Sequence, residues 1–206
     1  ALAEAGAAWL GRDPATGWED PARADDSRVA APRRYGFHAT LKPPFRLAEG
    51  TTPEALDHAV AALAARLAPA GAPGLAVDDG LGFLALRPQG PCRAIDAVAR
   101  ACVAELDRFR APLDEAERAR RLAGRPLTAR QRALLERWGY PYVMEEFRFH
   151  VTLTGPEGRA AATAEEVRRR LAPHLGPAFT LDRLALFGDP GGGAGFRLLR
   201  HHPLSG

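Results

Sequence analysis

Two short stretches of the chain alternate apolar and polar residues. From Arg34 to Lys42, Tyr35, Phe37, Ala39 and Leu41 fall on one face of an extended chain, and Arg34, Gly36, His38, Thr40 and Lys42 on the other. From Arg148 to Thr154, Phe149, Val151 and Leu153 lie opposite Arg148, His150, Thr152 and Thr154. Successive strand side chains point to opposite faces. Both stretches therefore predict strands with an apolar back and a front carrying His, Thr and a cation. Elsewhere the spacing is helical: Leu56, Val60, Leu63 and Leu67 form one stripe, and Val167, Leu171 and Leu175 another. Strand-like runs follow each stripe, Leu75–Val77 and Gly82–Leu86 after the first, Phe179–Phe187 and Phe196–Arg200 after the second. The Gly-rich segment Gly188–Gly195 reads as a hairpin loop.

The two halves repeat. Phe37-His38-Ala39-Thr40-Leu41 recurs as Phe149-His150-Val151-Thr152-Leu153 at an offset of 112. The same offset relates Thr51 and Glu54 to Thr163 and Glu166, which read as capping boxes opening two helices. A duplicated strand-helix-strand-strand unit predicts an α+β protein in which two antiparallel sheets flank a central cleft. The expected organisation is one bilobal domain: lobe one over about 30–90, a helical insertion over about 91–139, and lobe two over about 140–206. In the insertion, Ile95, Val98, Cys102, Val103, Leu106 and Phe109 make Pro91–Arg110 amphipathic. The Arg-rich helical stretch Ala111–Gly139 follows. Its arginines, among them Arg118, Arg121 and Arg125, read as a solvated, ion-paired face or as an anion-collecting rim of the cleft. Ala1–Leu10 reads as an amphipathic helix.

Composition narrows the class. Of 206 residues 46% are hydrophobic and 26% charged, enough apolar surface for a sizeable core. No apolar run is long enough to span a bilayer. Cys92 and Cys102, ten apart in one helical stretch, are too distant along a helix to pair, which predicts reduced thiols and a cytoplasmic location. A net charge of +3 admits an anionic ligand without demanding nucleic acid. Of 28 basic residues only Lys42 is Lys, so a role that a guanidinium cannot fill is one reading of it.

The polar fronts suit phosphoryl chemistry. Histidine titrates near neutrality, so one imidazole can take a proton and the other give one. The hydroxyls of Thr40 and Thr152 can donate to phosphate oxygens as charge builds, and Lys42 and Arg148 can add positive charge. Neither metal nor cofactor is expected. The other four histidines, His58, His174, His201 and His202, read as surface or tail residues.

The paired His-x-Thr motif in a duplicated α+β chain resembles the 2H (two-histidine) phosphoesterase superfamily, which includes RNA 2′,3′-cyclic phosphodiesterases and 2′-5′ RNA ligase-like proteins. The segments Arg34–Phe45 and Trp138–His150 are similar to an uncharacterised bacterial branch associated with phosphonate metabolism. The superfamily usually opens with a strand, where this chain has a helix. The resemblance implies His38 and His150 as the acid–base pair and Thr40 and Thr152 as phosphate holders. Lys42, Arg148, Tyr35, Arg34 and Tyr142 are further substrate-binding candidates from local sequence; Tyr35 falls on the apolar face by strict alternation. The expected function is metal-independent hydrolysis of a cyclic or diester phosphate on a small phosphorylated substrate. The other reading is a non-catalytic module binding RNA ends or phosphorylated metabolites.

Overall fold

A computed structural model describes residues 1–123 and 126–206. Gly124 and Arg125, within the stretch expected to be helical, lie outside the described residues. The elements run α1 (Leu2–Leu10), α2 (Ala30–Arg33), α3 (Pro53–Ala64), β1 (Ala70–Pro73), β2 (Leu75–Asp78), β3 (Ala85–Pro88), α4 (Arg93–Glu105), α5 (Glu115–Leu122), α6 (Ala129–Trp138), β4 (Val151–Thr152), α7 (Ala161–Leu171), β5 (Ala178–Leu181), β6 (Arg183–Gly188) and β7 (Arg197–Pro203). The fold is α+β, as the pattern predicts. None of the described helices is long and apolar enough to cross a membrane.

The strands pair antiparallel in three groups, β1 with β5, β2–β3–β4, and β6 with β7. Pairing crosses between the halves of the sequence. The second motif strand, β4, adds to the first-half hairpin β2–β3, and β1 of the first half pairs β5 of the second. The helices cross over as well: α3 packs on β6 and β7, and α7 packs on β2. Leu56, Val60 and Leu63 of α3 and Val167 and Leu171 of α7 thereby enter one core with Leu84, Leu86, Phe149, Val151 and Leu153. Each repeat thereby covers apolar surface of the other.

The predicted helix starts need correcting. Thr52, not Thr51, caps α3 by accepting from the Ala55 amide at 3.1 Å, while Thr51 donates to the Ala48 carbonyl. Thr163 is buried inside α7, whose N-terminus has no side-chain cap, and Glu166 instead accepts from Arg28. The two capping boxes of the described chain open α5 and α6, Asp114 with Glu117 and Thr128 with Gln131. Leu67 and Leu175 lie just beyond the helices whose stripes they extend, partly buried against the core. The run Phe179–Phe187 divides into β5 and β6.

The insertion is anchored by a smaller apolar cluster. Val103 of α4, Leu134 of α6 and Val143 form its centre, with Trp138, Tyr140 and Met144 packed against it. Helix α1 lies against the first motif. Gly6 leaves room for the Phe37 ring, which a Cβ there would overlap. Trp9, fully buried, donates from Nε1 to the Leu153 carbonyl at 2.7 Å, tying α1 to the second motif too.

Candidate active site

The first motif emerges from α2 through Gly36, whose φ of +76° is left-handed, a conformation that a Cβ would strain. Beyond it, Phe37, Ala39 and Leu41 turn toward the core as predicted. The strand expected over Arg34–Lys42 is not formed among the described residues; Ala39 makes a single antiparallel bridge with Val151 of β4, and the flanking residues run on without ladder pairing. This register places His38 across from Thr152 and Thr40 across from His150. Directly opposite residues share a face, with Cβ atoms about 4.5–5.5 Å apart. All four polar residues of the two motifs therefore stand on one face of a two-stranded ribbon, related by an approximate twofold axis through the Ala39–Val151 pair. The two copies of the motif meet directly at this bridge, rather than facing each other from two separate sheets.

The imidazoles are held alike. Nδ1 of His38 lies 3.0 Å from the Gly36 carbonyl, and Nδ1 of His150 lies 2.7 Å from the Arg148 carbonyl. A carbonyl only accepts, so Nδ1 carries the proton in both rings and Nε2 carries the lone pair of the neutral form. Nε2 of His38 then accepts from the Thr40 hydroxyl at 2.9 Å. Nε2 of His150 has no hydrogen-bond partner among the described residues. Each ring also tilts against a phenylalanine from the other half: His38 against Phe187 at 5.8 Å and His150 against Phe83 at 5.9 Å. Burial pushes the His38 pKa below 6.5; the Gly36 carbonyl opposes this in part, and the neighbouring His150 charge adds to it. His38 is therefore neutral at neutral pH.

The flanking candidates separate into those near the cleft and those drawn elsewhere. Tyr35 stacks on His38 at 5.7 Å and on Phe196 at 4.7 Å, and so holds the imidazole plane despite its place in the alternation. Arg34 precedes the first motif and is half exposed, paired with Asp189 at 2.8 Å. Its carbonyl accepts from the buried Arg12, which also bonds the carbonyls of Ala194 and Phe196. Arg12 so clamps the turn before the first motif to the start of β7. Arg12 also pairs with Glu19 at 3.3 Å, but the carbonyls it holds at the motif are distant in sequence, so no local pattern marks it for the site.

Lys42 turns away from the cleft. Its side chain is 8% exposed, and Nζ donates to the Val103 carbonyl at 3.1 Å and to Asp107 at 3.2 Å. The chain bends at Leu41 and Lys42 before Pro43 and Pro44, and the carbonyl end of α4 attracts the ammonium. Arg148 is exposed and folds back onto the carbonyls of Glu145 and Phe147. Glu145 pairs with Arg130, and Glu146 accepts from Gln131. Thr154, expected on the polar front, is buried, with its hydroxyl accepting from the Leu84 amide at 3.1 Å. The amides of both Leu153 and Thr154 bond the Leu84 carbonyl, so two residues oppose one and the bulge rotates Thr154 inward. Tyr142 is 41% exposed and meets Tyr140 edge-on at 5.7 Å. The thiols Cys92 and Cys102 are unpaired, and burial pushes that of Cys102 up to about 12.

Residues 40–197 match the family described as protein of unknown function (DUF1045). The chain is also 40% identical over 221 residues to a protein of Janthinobacterium sp. (strain Marseille) named ribose 1,5-bisphosphate phosphokinase PhnN, covering 99% of this chain and 48% of that protein. A protein of the same name from Laribacter hongkongensis (strain HLHK9) is 40% identical over 205 residues, covering 95% of this chain and 47% of its own length. The chain thus spans about half the length of these curated relatives. Their name corrects the expected hydrolysis of a phosphodiester, because a phosphokinase is a phosphoryl transferase. Groups that cradle a phosphoryl group serve its transfer to water or to another acceptor alike. The motif therefore does not identify the acceptor.

Proposed function

The chain belongs to the family described as protein of unknown function (DUF1045), and from this and the geometry of the cleft we propose that it binds a phosphorylated ribose for phosphoryl transfer in phosphonate metabolism. The observation that carries the reading is the antiparallel juxtaposition of the two motifs about Ala39 and Val151, which gathers His38, Thr40, His150 and Thr152 on one face. The Thr152 hydroxyl donates to a phosphate oxygen. His150 Nε2, free of protein partners among the described residues, meets a sugar hydroxyl when neutral or a phosphate oxygen when protonated. His38, kept neutral by burial, orients Thr40 through their mutual hydrogen bond.

The relatives' name supports a ribose phosphate as the ligand. A nucleotide is less well supported for this cleft. The single lysine stands in Thr40-Leu41-Lys42-Pro43, so the G-x-x-x-x-G-K-[ST] loop that cradles nucleotide phosphates does not occur in these 206 residues.

Calorimetric titration with ribose 5-phosphate and ribose 1,5-bisphosphate tests the reading. Saturable binding that weakens at least tenfold in both His150→Ala and Thr152→Ala is the expected result. No binding of either sugar phosphate by the wild-type chain would sink it. ATP-dependent phosphorylation of ribose 1,5-bisphosphate, measured in a protein of the relatives' full length with and without the His150→Ala change, then connects the cleft to transfer.

A further inference from the structure

We infer that Arg87 is a further anion-binding residue of this site, its guanidinium taking oxygens of the phosphate held by Thr152 and His150. The inference rests on the reading above and adds the residue that supplies the site's fixed positive charge.

The register of the sheet places Arg87. Ala85 of β3 pairs with Thr152, and Leu86 pairs with Val151. The next residue of each chain therefore sets Arg87 beside His150. On the other side of β3, Asp78 of β2 pairs with Ala85. One row across the strands thus runs Asp78, Ala85, Thr152, His38, and the row beside it holds Arg87, His150 and Thr40. Neighbouring strands lie about 4.8 Å apart. Alternation gives the same face: Leu84 and Leu86 join the main core, so Phe83, Ala85 and Arg87 point the other way. The Phe83 ring, 5.9 Å from the His150 ring, identifies that face as the one carrying the second histidine.

The Arg87 fork is only partly used. Nη1 donates to Asp78 Oδ1 at 2.8 Å, which draws the guanidinium into the row of Thr152 and His38. Only the short side chain of Ala85 separates Asp78 from Thr152 in that row. Among the described residues, Nε of Arg87 is the one buried side-chain nitrogen or oxygen without a hydrogen-bond partner. A buried donor left unmade is costly, so this N–H calls for an acceptor. With Nη1 taken, the Nε–Nη2 edge remains, and its two parallel N–H groups match two oxygens of one phosphate. The side chain is 32% exposed, so an anion has access to it.

The cations expected in the cleft are engaged elsewhere. Lys42 is held by Asp107, Arg34 pairs with Asp189, and Arg148 folds onto backbone carbonyls. Arg87 combines a place on the motif face with an unpartnered N–H.

Calorimetry tests the inference with ribose 5-phosphate and the wild-type chain, Arg87→Gln, Arg87→Lys and Asp78→Asn, each with its melting temperature. Arg87→Gln should lose roughly tenfold to a hundredfold in affinity, the scale of one charged hydrogen-bonded contact. Arg87→Lys keeps the charge without the fork and should lose less. Asp78→Asn breaks the same ion pair but keeps the guanidinium, so its affinity should stay within about threefold of wild type. Unchanged affinity in Arg87→Gln, with His150→Ala still weakened, would overturn the inference and leave the proposed function standing. Equal losses in Arg87→Gln and Asp78→Asn, with lowered melting temperatures, would show that the pair only braces the β2–β3 hairpin, and would overturn it too. A wild-type chain that binds no ribose phosphate would overturn both.

Discussion

Ala39 and Val151 face each other in an antiparallel bridge, and that one pairing brings together two copies of a motif 112 residues apart. Because the bridge lies between His and Thr in each copy, each His stands opposite the Thr of the other. The ribbon is further braced by Phe187 and Phe83, each packed on the histidine of the opposite half.

If both motifs hold one ligand, their residues are energetically coupled. A double-mutant cycle combining His38→Ala and His150→Ala, read as affinity for a ribose phosphate, should give an interaction energy of roughly 0.5–3 kcal/mol. Additive losses would mean that the two rings meet different ligands.

His38 gives the molecule a pH dependence on its acid side. Its folded pKa lies below 6.5, so in the window between the two values the unfolded chain binds the extra proton. Stability is full above pH 6.5 and declines as pH falls through the folded value. The ring-proton shift of His38 should titrate below 6.5 by NMR, and His38→Gln should flatten the fall of melting temperature on acidification. A midpoint at or above 6.5 would contradict the burial argument.

Lys42 tests the difference between pattern and structure. Lys42→Met removes a partner from Asp107, which keeps Arg110 at 2.8 Å. A stability loss of about 1–3 kcal/mol is expected in denaturant unfolding, less than for a buried carboxylate left wholly unpaired. Ribose phosphate affinity should change by less than about threefold. A larger loss of affinity without loss of stability would restore Lys42 to the binding site.

Trp9 links α1 to the second motif through the Leu153 carbonyl. Trp9→Phe keeps most of the ring but leaves that buried acceptor without its donor, at a cost of about 1–3 kcal/mol. A chain of this size should melt lower by about 2–4 °C for each kcal/mol lost. An unchanged melting temperature would mean that water replaces the indole.

The strand alternation and the repeat made much of the site legible. Phe37, Ala39 and Leu41, like Phe149, Val151 and Leu153, are inward, and His38, Thr40, His150 and Thr152 share a face. Legibility ended where the strands ended. Thr154 was misplaced because a bulge adds a residue to one strand of a ladder, and Thr51 because the adjacent Thr52 offered the same hydroxyl to the helix. Arg12 was not singled out for the site, since the carbonyls it bonds there, those of Arg34, Ala194 and Phe196, are far along the chain.

The sequence by itself determined the α+β class, the duplication and the apolar and polar faces, because these follow from periodicities of two and 3.6 residues within single elements. Tertiary structure decided that β4 joins the hairpin of the other half and that Lys42 turns toward Asp107. Those outcomes depend on which surfaces meet, and a local pattern sets the apolar face of an element without setting its partner.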